Sequence, residues 1–160
     1  MIRVVKLLLV AGVAFLISLV VLNNLTDFGT NYEFVRHVLR MDTFAPGGHA
    51  LGRAITSSWI HLVFYVCIIA WEAVTAILLW WGAARMLRAW RLSATDFNAA
   101  KNVSVLGLSL SLLMWLVAFL AIGGEWFLMW ESPAWNGQQA ASRNFTVVGI
   151  VLLILLQRDE

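Results

Sequence analysis

Charged residues and cysteine are scarce in this chain of 160 residues: 12% are charged, and Cys67 is its one cysteine. A single cysteine excludes a disulfide-stabilised secreted scaffold and a Cys-x-x-Cys site. Soluble domains carry about 25% charged and about 45–50% apolar residues, whereas 61% of this sequence is hydrophobic. With a mean hydropathy of +0.82, the chain has too few polar residues to cover a water-soluble globule. Composition therefore excludes a disordered chain and a soluble enzyme, and predicts a small integral membrane protein.

The excess of basic charge is also small, since the formal net charge is +2. Nucleic-acid binding would require a basic stripe on a soluble fold. The sequence has neither, so we expect no nucleic-acid partner.

Long apolar runs are the main positive feature. A transmembrane helix requires about 20 predominantly apolar residues, and four stretches qualify, at about residues 7–25, 59–82, 103–122 and 140–156. The fourth is the weakest because Arg143 and Asn144 interrupt its start, but an arginine near a helix end reaches the interface with its long side chain. The predicted fold class is all-α, a four-helix transmembrane bundle that forms a single integral membrane domain over residues 1–160.

The distribution of lysine and arginine predicts the orientation. Seven lie in the N-terminal tip, the second connection (83–102) and the C-terminal tail, and four lie elsewhere. The positive-inside rule then places both termini in the cytoplasm, for a bacterial protein on the inner face of the inner membrane. Arg3 and Lys6 before an apolar run also describe a signal peptide, but no small-x-small cleavage site follows. We interpret this segment as a retained first helix.

The first connection, which is then extracytoplasmic, contains a predicted amphipathic helix. Thr30 and Glu33 have the spacing of a capping box, and Pro46-Gly-Gly48 breaks the chain before the second span. The apolar face of the helix comprises Phe34, Val35, Val38 and Leu39, and its polar face comprises Glu33, Arg36, His37 and Arg40. We expect this helix to lie on the outer membrane surface or to cap the bundle together with Gly123–Asn136.

Glu72 is the most informative position because it falls near the middle of the second predicted span, where a charged carboxylate is costly. At helical spacing it shares one face with three other polar residues, His61, Tyr65 and Thr75. This polar lane could carry protons or pair with a cation. Alternatively, Glu72 is a hydrogen-bonded side chain that joins helices. We favour the structural interpretation, since no intramembrane lysine or arginine accompanies the carboxylate.

The three histidines, His37, His49 and His61, raise the possibility of a metal or haem. Only His61 lies in a predicted span, and no His-x-x-His, His-x-x-x-His or His/Cys cluster is present. We therefore predict neither a bound metal nor another cofactor, with His61 hydrogen-bonded at the interface.

The connection after the third span is rich in tryptophan. Gly123-Gly124 is expected to end the third helix and Asn136-Gly137 to form a tight turn. The aromatic residues of this outer loop are Trp126, Phe127, Trp130 and Trp135, and two carboxylates, Glu125 and Glu131, lie among them. Aromatic rings of this kind form a belt at the membrane interface. The alternative is a groove for a lipid, a quinone or a partner protein, with a carboxylate as its polar group.

Small residues share one face of two predicted spans. In the third span they are Ala100, Ser104, Gly107, Ser111 and Ala118, and in the first Ala11, Ala14 and Ser18. Such faces let helices approach closely within a bundle or an oligomer. A basic strip at Arg85, Arg88 and Arg91 is explained by anionic lipid headgroups.

Three segments resemble a bacterial family of small integral membrane proteins to which no activity is attached. They are TDFGTNYEFVRHVLRMDTF (26–44), WEAVTAILLWWGAARM (71–86) and GGEWFLMWESPAWNGQQAASRNF (123–145). Gly-Gly-Glu-Trp-Phe with Trp-Asn-Gly is the specific part of this signature. The resemblance implies a four-helix inner-membrane protein, and it brings no catalytic residue or cofactor.

No catalytic signature is found, since a phosphate-binding loop, Gly-x-Ser-x-Gly and His-Glu-x-x-His are all missing from the sequence. We expect a non-enzymatic accessory or scaffold subunit that associates with other membrane proteins or with itself within the lipid bilayer. The alternatives are a small oligomeric channel or transporter that uses the Glu72 lane, and a quinone- or haem-binding redox subunit.

Overall fold

The computed structural model describes residues 1–44 and 48–160, and within the second range it leaves the side chains of residues 48, 49 and 51 undescribed. The predicted break at Pro46-Gly47 and the side chain of His49 therefore lie outside the described residues. The helices are α1 (Ile2–Thr26), α2 (Phe28–Arg40), α3 (Ser58–Ala89), α4 (Ala94–Ala100), α5 (Asn102–Leu113) and α6 (Gln138–Leu156). A π-helical continuation of α5, Met114–Trp126, is called the π segment, and short 3-10 turns cover Gly48–Arg53 and Met129–Glu131.

Four helical stretches are long and apolar enough to cross a membrane: Ile2–Thr26, Ser58–Ala89, Ala94–Trp126 and Gln138–Leu156. No strand occurs in the described ranges. The prediction of an all-α, four-helix transmembrane fold is confirmed. The helices extend beyond the predicted apolar runs, by up to seven residues for α3, because a helix that satisfies its own backbone hydrogen bonds need not end where its apolar side chains do.

The four spans pack in the ring order α1, α3, α5 with the π segment, and α6, which returns to α1. Their core is aliphatic, with Val10, Ile17, Leu79 and Leu108 almost fully buried. Small residues allow the close contact of α3 with α5. A Cβ atom at Gly82 would lie 2.7 Å from the backbone nitrogen of Ser104, and one at Gly107 would lie 2.9 Å from the Leu79 side chain. The predicted packing face of the third span is thus observed.

The amphipathic helix is present, but the predicted capping box is wrong. Helix α2 begins at Phe28 with Asp27 as its N-cap residue, and Thr30 lies inside the helix. The reason is that α1 ends at Thr26, so Asp27 alone separates the two helices. The backbone N–H of Asn31 then bonds directly to the carbonyl of Asp27. The apolar face is correct, since Val35, Val38 and Leu39 are buried.

Gly123 and Gly124 do not end the third span, which is a second correction. The π segment continues through both to Trp126, and the N–H of Phe127 bonds to the carbonyl of Ile122, five residues back. Both glycines are buried, and a Cβ at Gly124 would lie 2.5 Å from the Gln138 amide. Gly124 therefore provides space for the start of α6 and Gly123 packs against Met129 of the cap, and neither glycine ends the helix.

Helix α2 and residues 127–137 form one layer over the end of the bundle remote from the chain termini, and we call this layer the cap. Val35, Leu39, Phe127 and Met129 share its buried cluster with Tyr65 of α3. Gly137 fits against α2, since a Cβ there would lie 2.8 Å from the Phe34 ring. At the start of α6 the side-chain oxygen of Asn136 accepts a hydrogen bond from the Gln138 N–H at 3.1 Å, in place of the predicted backbone turn.

Candidate functional site

Glu72 lies inside the bundle, with 1% of its surface exposed. The side-chain amide of Asn24, on α1, donates to Glu72 Oε2 at 2.7 Å. Since Asn24 is only two residues from the end of α1, the carboxylate lies below the cap rather than at mid-bundle. Along α3 itself (Ser58–Ala89) Glu72 is near the middle of the helix, as the sequence predicts, and it is the end of α1 that reaches this level.

Tyr65 joins the same group. Its hydroxyl donates to the backbone carbonyl of Asn24 at 2.9 Å and lies 3.4 Å from Asn24 Oδ1. Tyr65 is 2% exposed and packs edge-on against Phe28, with ring centroids 4.8 Å apart. Asn24 of α1 thus contacts both Tyr65 and Glu72, which lie about two helical turns apart on α3.

The other two members of the predicted lane are buried but make separate contacts. His61 Nε2 is 2.8 Å from the carbonyl of Ile55. The Thr75 hydroxyl donates to the carbonyl of Trp71 in its own helix at 2.8 Å. The four residues share a buried face of α3, as the sequence predicts, but the tertiary contacts bring together only Tyr65 and Glu72.

A cavity of about 250 Å³ opens beside Glu72, underneath α2. Its polar lining comprises Glu72 and three asparagines, Asn23, Asn24 and Asn31. Its aromatic lining comprises Phe34, Tyr65, Trp115 and Phe119, and the remainder is small or aliphatic. The space greatly exceeds the 10–15 Å³ or so that one water molecule requires.

Trp115 is a feature of this cavity that the sequence analysis missed. The side chain is 5% exposed, and its indole Nε1 has no hydrogen-bond partner among the described residues. Asn24 was missed as well. The sequence does contain an indication of its role, the Asn23-Asn24 pair at the end of an apolar run. Burying an amide there costs free energy unless it is hydrogen-bonded.

Some aromatic side chains of the Trp-rich loop are exposed and others are buried. Trp126 and Trp130 are exposed, whereas Phe127 is buried in the cap. Trp135 stacks on His37 at 4.9 Å, and Arg53 lies over the Trp126 ring at 4.8 Å. The exposed rings fit the interfacial belt and the others pack the cap.

Both loop carboxylates are accessible, which is compatible with the interfacial belt and with a groove. Glu125 is exposed and Glu131 is partly exposed.

The described histidine side chains do not face each other. His37 pairs with Asp42 at 2.6 Å on the polar side of α2, while His61 is bonded to Ile55. Burial by itself would raise the pKa of Asp42. The hydrogen bond and charge of His37 and the charge of Arg40 outweigh this effect, so the pKa of Asp42 is lowered. Among the described residues, no group of three His, Cys, Asp or Glu side chains has the geometry to hold a metal ion.

A second polar cluster lies at the opposite end of the bundle, where the two termini meet. Asp159 accepts from Lys6 at 2.9 Å and pairs with Lys101, and all three side chains are nearly buried. Both lysines also donate to the carbonyl of Gln157, at 2.7 and 2.9 Å. From the sequence Lys6 is recognisable only as an orientation signal, because its partner is 153 residues away.

Comparison with known proteins gives one match. Residues 2–158 match the model of a family described as predicted small integral membrane protein (DUF2165). The chain belongs to this family. Membership agrees with the four apolar helices and with the resemblance in the sequence, and it establishes an integral membrane protein within a lipid bilayer. No curated protein and no solved structure matches the chain significantly.

Proposed function

We propose that the protein is a non-catalytic accessory subunit of a bacterial inner-membrane complex or of a homo-oligomer, with both termini in the cytoplasm. The observation that carries the proposal is a polar stripe on the outside of α6. Its members, at helical spacing, are Gln139, Ser142, Arg143 and Thr146, and all four are exposed.

A polar stripe is unfavourable where α6 faces acyl chains. In the described ranges no acidic side chain lies within ion-pair distance of Arg143. Arg143 itself can reach the interface, but a polar face that continues over two helical turns lies against a bundle interior, a partner or water far more often than against lipid. A helix of another subunit over this face would supply the hydrogen bonds and the countercharge that the isolated chain lacks.

The buried polar contacts support a structural rather than a catalytic role. Asn24 joins Glu72 and Tyr65 across two helices, which is how polar side chains hold membrane helices together. Such contacts build a rigid subunit that presents its outer faces.

Substitution of the stripe tests the proposal. Ser142→Trp places a bulky ring on the stripe, whereas Leu153→Trp, at a position 67% exposed on the same helix, is the matched lipid-facing control. Native membranes are solubilised in mild detergent and cross-linked, and co-purified proteins are identified by mass spectrometry. We expect a defined complex with the unsubstituted protein and the control and its loss with Ser142→Trp. A monomeric, partner-free native protein would contradict the proposal.

A second candidate, a small channel or transporter, is favoured by the cavity that contains Glu72. Reconstitution in proteoliposomes distinguishes it: Glu72→Gln is expected to reduce proton or solute flux, whereas Glu125→Gln, an exposed carboxylate outside the cavity, leaves flux unchanged. Equal flux with both variants would eliminate this function.

A further inference from the structure

We infer that the cavity beside Glu72 is a binding site for a small organic ammonium ion. The site is independent of the accessory role proposed above, because it lies inside one chain and does not involve the α6 stripe.

The charge of the lining favours a cation. Glu72 is the only charged residue among the side chains that line the cavity in the described part of the chain. Asn24 donates a hydrogen bond to one carboxylate oxygen, Oε2. A carboxylate in an apolar site is stable only when it is paired or neutralised. A monovalent cation in the cavity would provide that pairing.

The walls favour an organic cation over a metal ion. Four aromatic residues, Phe34, Tyr65, Trp115 and Phe119, line the same space. Aromatic faces attract alkylammonium groups through cation–π interactions, and cages of such rings recognise quaternary ammonium ligands. Hard metal ions instead require about six to eight oxygen ligands, and most of this lining is apolar.

Trp115 indicates a further feature of the ligand. Its buried Nε1–H is without a partner in the described chain, and buried donors of this kind are normally satisfied. An ammonium compound that also carries a hydroxyl or ether oxygen would accept this hydrogen bond. Choline has this combination, whereas tetramethylammonium carries the same charge without the oxygen, so the two ions are a matched pair of probes.

The volume restricts the ligand to a small one. The cavity of about 250 Å³ is slightly below the range of about 300–1,000 Å³ typical of ligand pockets. A second, apolar cavity of about 80 Å³ shares Phe34, Val35, Ile68 and Phe119 with it. These four side chains separate the two spaces, and a longer alkyl chain would have to displace them.

Titration of the purified protein with choline tests the site, with calorimetry as the readout. We expect saturable binding that Glu72→Gln weakens at least tenfold, while Glu125→Gln leaves it unchanged. Trp115→Phe is expected to weaken choline binding several-fold and tetramethylammonium binding less, because both ions lose part of the cation–π contact but only choline offers an oxygen to the indole N–H.

A second variant covers the case in which Glu72→Gln does not fold. Ala140 lines the cavity from α6, so Ala140→Phe fills the space with Glu72 still in place and should abolish binding. Thermal unfolding of each variant verifies that it is folded. The proposal is overturned if the native protein shows no saturable binding at tens of millimolar choline, or if the folded Glu72→Gln or Ala140→Phe variant binds as well as the native protein.

The ammonium group can reach the site free in solution or as a lipid headgroup, and nanodiscs separate the two sources. Titration in phosphatidylglycerol nanodiscs measures the free ion. A weaker apparent affinity when phosphatidylcholine is included shows headgroup competition, and an unchanged curve assigns the site to the free ion.

Discussion

Asn24 carries the polar contacts between α1 and α3 below the cap. Its side-chain amide donates to Glu72, and its backbone carbonyl accepts from Tyr65. Without this side chain Glu72 would lose a hydrogen bond, at a cost of about 1–3 kcal/mol, whereas the backbone carbonyl that Tyr65 uses would remain. The importance of Asn24 comes from this position between two buried partners, because Asn23 next to it is exposed.

Replacing Asn24 by leucine should therefore lower the free energy of unfolding by about 1–3 kcal/mol, since Glu72 loses its donor. Asn23→Leu, the neighbouring control, should change it by no more than about 0.5 kcal/mol. Unfolding by SDS in mixed micelles measures both. Equal effects of the two substitutions would show that the amide of Asn24 does not stabilise Glu72.

The double variant Asn24→Leu with Glu72→Leu separates a lost hydrogen bond from a general packing defect. Removing both partners leaves no unpaired carboxylate, so the double variant should be more stable than the sum of the single effects predicts. Strict additivity would argue against direct coupling between the two side chains.

At the scale of the helices, the spacing between α3 and α5 depends on two glycines, Gly82 and Gly107. The backbone nitrogen and Cα of Ser104 lie within 2.7 and 2.9 Å of where a Cβ of Gly82 would be. Backbone atoms cannot move aside as a flexible side chain can. Gly12, in contrast, has no atom within 4 Å of its Cβ position.

Gly82→Ala should thus destabilise the bundle by about 1–3 kcal/mol, because the added methyl group forces α3 and α5 apart. Gly12→Ala should be neutral or stabilise by up to about 1 kcal/mol, since alanine favours the helix and meets nothing. Thermal unfolding in detergent compares the two. A more stable Gly82→Ala variant would show that the helices do not need this close approach.

For the molecule as a whole, Lys6, Lys101 and Asp159 join α1, the start of α5 and the C-terminal tail at one end of the bundle. Burial raises the pKa of Asp159, but its hydrogen bonds and charge interactions with the two lysines prevail and hold the pKa below its ordinary value of 3.8. A carboxyl group whose pKa is lower in the folded state stabilises the fold above its unfolded pKa. That stabilisation is lost as the pH falls through the folded pKa.

The unfolding free energy should consequently decrease as the pH is lowered below about 4, the range in which a free aspartate takes up its proton. Asp159→Asn should be less stable at pH 7, by about 1–3 kcal/mol, and should show a flatter pH dependence. Glu160→Gln, an exposed neighbour, is the control. A pH dependence that survives unchanged in Asp159→Asn would assign it to other carboxylates.

Length, composition and the spacing of apolar residues were sufficient to predict the membrane class, the four spans and the amphipathic face of α2. These properties depend on the hydrophobicity of contiguous residues, which can be read along the chain. The burial of Glu72 and Tyr65 on one face of α3 could also be predicted, because helical periodicity fixes which side chains share a face.

Only the tertiary structure decided which of those side chains meet. Asn24 and Glu72 are 48 residues apart, and Trp115 reaches the same cavity from a third helix. The predicted end of the third span at Gly123-Gly124 was wrong for a related reason: Gly124 is close to Gln138 of α6 and Gly123 to Met129, and no local pattern reveals these tertiary contacts. Local sequence determines where helices form and which face is apolar, whereas the partners of each buried polar group depend on how the helices are arranged.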